Sequence, residues 1–108
     1  MAEVIDIASL PLSGTASRVF DDMATVSFFL IDLGPGDGPP LHVHPYEEIF
    51  IVQQGTAAFS VGDESVEVSA GQIVIGPAHV PHTFVNSGDT QLHTVNIHPS
   101  PRMITEWL

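Results

Sequence analysis

His42 and His44 are separated by one residue, and a carboxylate, Glu48, follows four residues after the second. On an extended strand, residues at i and i+2 share a face, so both imidazoles point the same way. Neutral imidazoles with one carboxylate form a donor set that accepts a borderline divalent metal such as Fe(II), Mn(II), Ni(II) or Zn(II). Tyr46 lies between His44 and Glu48, where its hydroxyl is available to a substrate or packs over the site. A second histidine segment, Pro77-Ala-His79-Val-Pro81-His82, opens another strand 38 residues beyond His44. Antiparallel hairpins can return His82 to the same end of a sheet as the first pair.

The elements that must position these residues are short strands. A dense run of turn formers, Gly34-Pro-Gly-Asp-Gly-Pro-Pro40, precedes the first histidine and reads as an irregular loop. Strands are expected at 17–21, 25–33, 47–53, 56–61, 65–69, 72–76, 82–86 and 91–97, with turns at Asp21-Asp22, Gly55, Gly62-Asp63, Ala70-Gly71 and Ser87-Gly-Asp89. Gly62-Asp63, between Phe59-Ser-Val61 and Val66-Glu-Val68, is a strong hairpin signal. No window carries a long 3.6-residue apolar period, so the chain is expected to be all-β, a sandwich or barrel of short antiparallel strands. It divides into an N-terminal arm (1–16), a barrel (17–98) and a C-terminal tail (99–108) that forms a last strand or one helical turn. The arm holds Val4, Ile5 and Ile7, which either add a strand to a sheet or a partner chain or fray.

Composition removes several function classes. The 108 residues suffice for one domain. Two arginines and no lysine stand against 13 acids, a net charge of −11. Nucleic acid requires a basic footprint that this chain lacks, and an anionic membrane would repel it. The absence of cysteine removes disulfides, thiolate ligands and a catalytic thiol. The first residues, Met-Ala-Glu-Val-Ile-Asp-Ile, lack a basic region and no apolar run approaches ~20 residues. These features point to a soluble, cytoplasmic protein.

The two histidine segments together resemble the motifs of the cupin superfamily. The first motif is glycine, five residues, His-x-His, three or four residues, Glu, six residues, glycine; Gly36, His42, His44, Glu48 and Gly55 stand at those spacings. The second is glycine, five residues, Pro-x-Gly, two residues, His, three residues, Asn; Gly71, Pro77, His82 and Asn86 match, while His79 replaces the glycine. The motifs span residues 36–86, with a short connection at 56–70 as in small single-domain microbial cupins. The resemblance implies a jelly-roll β-barrel (a double-stranded β-helix) with one divalent transition metal, Fe, Mn, Ni or Zn, in its mouth. It implies His42, His44, Glu48 and His82 as ligands, a small-molecule substrate, and a homodimer formed by packed sheets or exchanged terminal strands.

Within that frame, Glu48 rather than Glu47 fits both the histidine spacing and the gap to Gly55, and it shares parity with 42 and 44. Glu47 is left to face solvent or to orient a ligand. His79 is read as exposed in its turn, His93 as a hydrogen-bonded core histidine that alternates with Val95 and Ile97, and His98 as having no chemical role. Phe28, Phe50, Phe59, Phe84 and Trp107 are read as core, with one or two lining the pocket. Arg18 and Arg102 are expected in salt bridges. Four protein ligands leave one or two positions open on a metal that favours five or six, and such a centre can bring dioxygen beside a chelated enol, diketone, catechol or carboxylate. The reading is a dioxygenase-like oxidoreductase in which Glu48 can act as a base. The alternatives are a metal-dependent isomerase, lyase or cyclase, and a non-catalytic cupin module that binds a small metabolite.

Overall fold

The computed structural model describes residues 1–108. Eleven strands follow a single 3₁₀ turn at Ile7–Ser9: β1 (Leu12–Ser13), β2 (Ser17–Phe20), β3 (Ser27–Leu33), β4 (His42–Val43), β5 (Glu48–Gln54), β6 (Thr56–Val61), β7 (Glu64–Ser69), β8 (Ile73–Gly76), β9 (His82–Asn86), β10 (Leu92–His98) and β11 (Glu106–Trp107). They form two antiparallel sheets, β1-β2-β3-β10-β5-β8 and β11-β4-β9-β6-β7. The turn spacing predicts an all-β sandwich or barrel, and the two sheets form the jelly roll that the resemblance implied. No helix is long and apolar enough to cross a membrane.

Alternation places the core between the sheets. Phe50 and Val52 of β5, Ala57 and Phe59 of β6, Val68, Phe84 and Leu92 form one buried cluster. Phe59 stacks on Phe84 at 5.2 Å and meets Phe50 edge-on at 5.0 Å. Phe50 also meets the ring of His82 edge-on at 5.4 Å, so the apolar core props up the candidate metal site. Truncating a buried phenylalanine of this kind to alanine costs about 3–5 kcal/mol.

Two glycines are dictated by geometry. Gly55 joins β5 to β6 at φ +85°, and a Cβ there would lie 2.7 Å from the Gln91 carbonyl oxygen. A Cβ on Gly38 would fall on the Phe84 carbonyl, because the loop over residues 34–40 lies directly against β9. That loop is pinned by Gly36 N–H to the Asn86 carbonyl and by Asn86 N–H to the Asp37 carbonyl, both 2.9 Å. The buried Asn86 side chain adds hydrogen bonds from Nδ2 to the carbonyls of Leu33 and Thr90 and accepts one from Gly88 N–H.

Several expectations change. Leu92, Thr94, Asn96 and His98 face inward on β10, whereas His93, Val95 and Ile97 face outward. His93 is therefore not a core histidine: its Nε2 lies 3.2 Å from Asp32 on the outer face. The phase inverts because the barrel interior is polar near its mouth, while the exterior of this sheet is apolar. Phe28 is likewise outside, stacked on Phe20 at 4.5 Å, and Trp107 is 63 % exposed. Arg102 pairs with Asp22 at 3.1 Å, but Arg18 donates instead to the Leu10 carbonyl at 2.8 Å. The tail forms β11, paired with β4 through Glu106–Val43 and Trp107–His42. In the arm, residues 1–6 join no strand and only β1 pairs, with β2.

Candidate metal centre

His42 and His82 face one another in register across β4 and β9, His44 follows β4, and Glu48 opens β5 in the opposite sheet. All four side chains are buried, and one ligand atom from each lies within 4.8 Å of the others. Ligand bonds of about 2.1 Å place opposed donors about 4.2 Å apart, so a small contraction brings these atoms to coordinating distance. Glu47 is exposed, as parity requires.

Hydrogen bonds to the far side of two rings set their orientation. His42 Nδ1 donates to the Pro40 carbonyl and His44 Nδ1 to the Ile104 carbonyl, each at 2.7 Å. Both Nε2 lone pairs are thereby turned toward the site. Glu48 Oε1 lies 2.9 Å from His44 Nε2 and 3.0 Å from His82 Nε2. His44 Nε2 and His98 Nε2 touch the carboxylate but lie off the line a hydrogen bond needs, and each stays without a hydrogen-bond partner, as does His82 Nδ1. Buried nitrogens left unpaired around a carboxylate are what a ligand set for a cation requires. The residues present therefore fit a divalent metal.

The charges agree. Burial alone would raise the Glu48 carboxyl, but the imidazoles of His44, His82 and His98 set against its two oxygens outweigh it and hold the group well below the usual carboxylate range. Burial pushes His42 below its ordinary value, which keeps it neutral. Burial acts the same way on His44, yet Glu48 and the Ile104 carbonyl prevail and raise it.

Two contributors, His98 and the tail, were not legible in the sequence, and a third, Tyr46, turns its hydroxyl to His98 and Ile104 rather than to a substrate. His98 is not inert: it is 1 % exposed, and its Nε2 lies 3.1 Å from Glu48 Oε2. The Tyr46 hydroxyl, raised in pKa by burial, accepts from Ile104 N–H at 3.0 Å and donates to His98 Nδ1 at 2.6 Å. That leaves the His98 proton on Nε2, facing Glu48. The tail forms part of the wall through Thr105 and Trp107, whose indole lies 5.1 Å from the His42 ring, and its Ile104 carbonyl accepts from His44. Its only sequence signal was Trp107.

His79, where the motif has glycine, adopts φ +63° and is exposed. Its N–H donates to the His44 carbonyl at 2.9 Å, so the turn keeps the glycine-like conformation and remains tied to the site. His42, His44, Glu48 and His98 line a pocket of about 370 Å³.

The family described as cupin domain matches residues 29–98. The chain belongs to the cupins. It is 38 % identical over 71 residues to an auxin-binding protein of Prunus persica, covering 60 % of this chain and 34 % of that one. It is 35 % identical over 60 residues to an uncharacterised protein of Streptomyces coelicolor, covering 56 % of this chain and 55 % of the other. The cupin thus spans between a third and just over half of the length of these relatives. Among solved structures, an oxalate oxidase superposes with a TM-score of 0.80 at 21 % identity, covering 98 % of this chain and 63 % of that one. An oxalate decarboxylase of Lactobacillus farciminis gives 0.78 at 24 %, covering 85 % and 30 %. A cupin superfamily protein of Desulfitobacterium hafniense gives 0.69 at 16 %, covering 82 % and 77 %. These likenesses establish the fold.

Proposed function

We propose that this cupin is a metal-dependent enzyme acting on a small organic molecule that offers oxygen donors, with dioxygenase-like chemistry as the leading reading. The observation that carries it is the convergence of four buried ligand atoms within 4.8 Å, three of whose residues, His42, His44 and Glu48, line a pocket of about 370 Å³. His42, His44, Glu48 and His82 would hold a divalent metal, which would supply Lewis-acid polarisation of substrate oxygens and redox chemistry with dioxygen. Glu48 is the one carboxylate that lines the pocket, so it is the residue that would take a proton from the substrate on leaving the metal. His98 steadies its Oε2, and Tyr46 steadies His98. Phe29, Ile31, Leu33 and Phe84 keep bulk water from the reacting end.

Elemental analysis of protein purified without chelator, with His82→Ala as control, tests the metal. Oxygen uptake by Fe(II)-, Mn(II)- and Ni(II)-loaded protein with flavonols, diketones and catechols tests the reaction. Stoichiometric metal without oxygen uptake turns the reading to an isomerase, lyase or cyclase on the same centre. The relative named for auxin binding favours a second reading, a module that returns its small-molecule ligand unchanged. Mass spectrometry of the ligand after incubation separates the two.

The active form is a homodimer packed through the outer face of the larger sheet. Register aligns Phe20, Phe28, Ile97, Ile49 and Ile75 in one row across that face and Leu30, Val95, Ile51 and Ile73 in the next. Ile73 and Ile75 are 62 % and 57 % exposed. Monomers rarely expose so continuous an apolar patch, and a second copy of the same face is apolar in the same pattern, as an isologous contact requires.

A further inference from the structure

The pocket lined by His42, His44 and Glu48 is apolar along one side, where Phe29, Ile31 and Leu33 of β3 and Phe84 of β9 line it. Opposite the charges of the site stands one polar side chain. Asn96 on β10 is 2 % exposed and lines the pocket. Its Oδ1 accepts a hydrogen bond from Thr94 Oγ1 at 2.7 Å, which fixes the way the amide is turned. Nδ2 is the amide group left for a ligand in the cavity. No cation is at hand. The chain has no lysine, Arg18 is held by the Leu10 carbonyl and Arg102 by Asp22, and neither lines the pocket.

We infer that this pocket selects ligands carrying a single negative charge on an apolar body about one ring in size, oriented by a hydrogen bond from Asn96 Nδ2. The inference rests on the metal reading above. A dication with three neutral imidazoles and Glu48 carries about +1, and one carboxylate or enolate brings the site to neutrality. A second anionic group would be buried against Phe29, Ile31 and Leu33 with nothing to offset its desolvation. Size agrees with charge. Oxalate, for which the structurally similar enzymes are named, has about six non-hydrogen atoms. Allowing each roughly the volume of a water, about 30 Å³, oxalate would fill only about half the cavity. An acceptor on the ligand also satisfies the Asn96 donor.

The test uses the full chain loaded with Co(II) and two probes that share one end, benzoate and terephthalate. Elemental analysis first establishes cobalt stoichiometry. Benzoate is expected to shift the visible Co(II) bands and, by calorimetry, to bind at least about tenfold more tightly than terephthalate, whose far carboxylate meets the apolar wall. Asn96→Asp, nearly isosteric, is expected to weaken benzoate at least about tenfold with cobalt stoichiometry unchanged. A ratio below tenfold, no benzoate binding, or an Asn96→Asp protein that binds benzoate as the parent does overturns the inference. The comparison of the two probes on the parent chain decides the matter even where the variant fails to fold. A chain that takes up no Co(II) overturns the metal reading together with this one. Cobalt-loaded protein indifferent to the second charge overturns only this one.

Discussion

His98 Nε2 stands 3.1 Å from Glu48 Oε2, while Oε1 of the same carboxylate lies 2.9 and 3.0 Å from His44 and His82. The two oxygens are thus divided between two jobs: Oε1 faces the candidate ligands and Oε2 is steadied from behind. Partners of this kind orient a ligand and typically contribute 10–100-fold to metal affinity. His98→Leu is expected to weaken metal binding by roughly that range while keeping one site per chain, and His98→Gln, which retains a donor, to recover part of the loss. Competition against a chromophoric chelator measures it; unchanged affinity in His98→Leu would show that the contact is incidental.

The tail makes a separate claim on His44. Removing residues 104–108 takes away the Ile104 carbonyl that accepts from Nδ1 and the short β11 that covers β4. Metal affinity is expected to fall about tenfold or more with the far-ultraviolet spectrum nearly unchanged, since β11 contributes two residues to the sheet. Loss of the whole fold would instead assign the tail a structural role.

Protonation gives two dependences, both rising with pH. His44 has a raised pKa, so its proton competes with metal, and affinity is expected to climb with pH by about tenfold per unit until that pKa is passed. Glu48 has a depressed pKa, so in metal-free protein its contribution to stability is present above the ordinary carboxylate range and is lost as pH falls below about 4.5. Metal titrations and thermal melts across a pH series check both, and a Glu48→Gln protein that keeps the same acid-side slope refutes the second.

For the outer face, Ile75→Asp places a charge at the exposed end of an apolar row without touching the interior. Light scattering is expected to show the parent as a dimer and the variant as a folded monomer. A parent that runs as a monomer at micromolar concentration removes the proposed interface.

His79 holds a left-handed backbone that costs a residue other than glycine about 1–2 kcal/mol. His79→Gly relieves that strain but loosens the unfolded chain, which offsets part of the gain. The expected net is a stabilisation of up to about 1 kcal/mol, read from denaturant midpoints. Clear destabilisation would mean that the imidazole itself contributes at this turn.

The readability of this chain was uneven for physical reasons. The all-β class was legible because short strands alternate with turn formers whose conformations few other residues adopt; the extents of β6 and β9 follow directly from their flanking turns. The closeness of His42, His44, Glu48 and His82 was legible because their spacings match the two motifs of the family. Asn96 and His98 were not. Apolar alternation on β10 assigned Val95 and Ile97 to the interior, and the actual choice of face depended on two tertiary facts absent from any local pattern: a polar barrel mouth and an apolar outer sheet. The role of Ile104 was invisible for a simpler reason, since a backbone carbonyl acts there and its side chain does not.

Trp107 is the chain's single indole, and it rests against the imidazole of His42. Its emission is therefore an intrinsic optical gauge of the centre. A paramagnetic ion seated there should quench the fluorescence of the whole protein, so occupancy can be followed in a cuvette without dye or label.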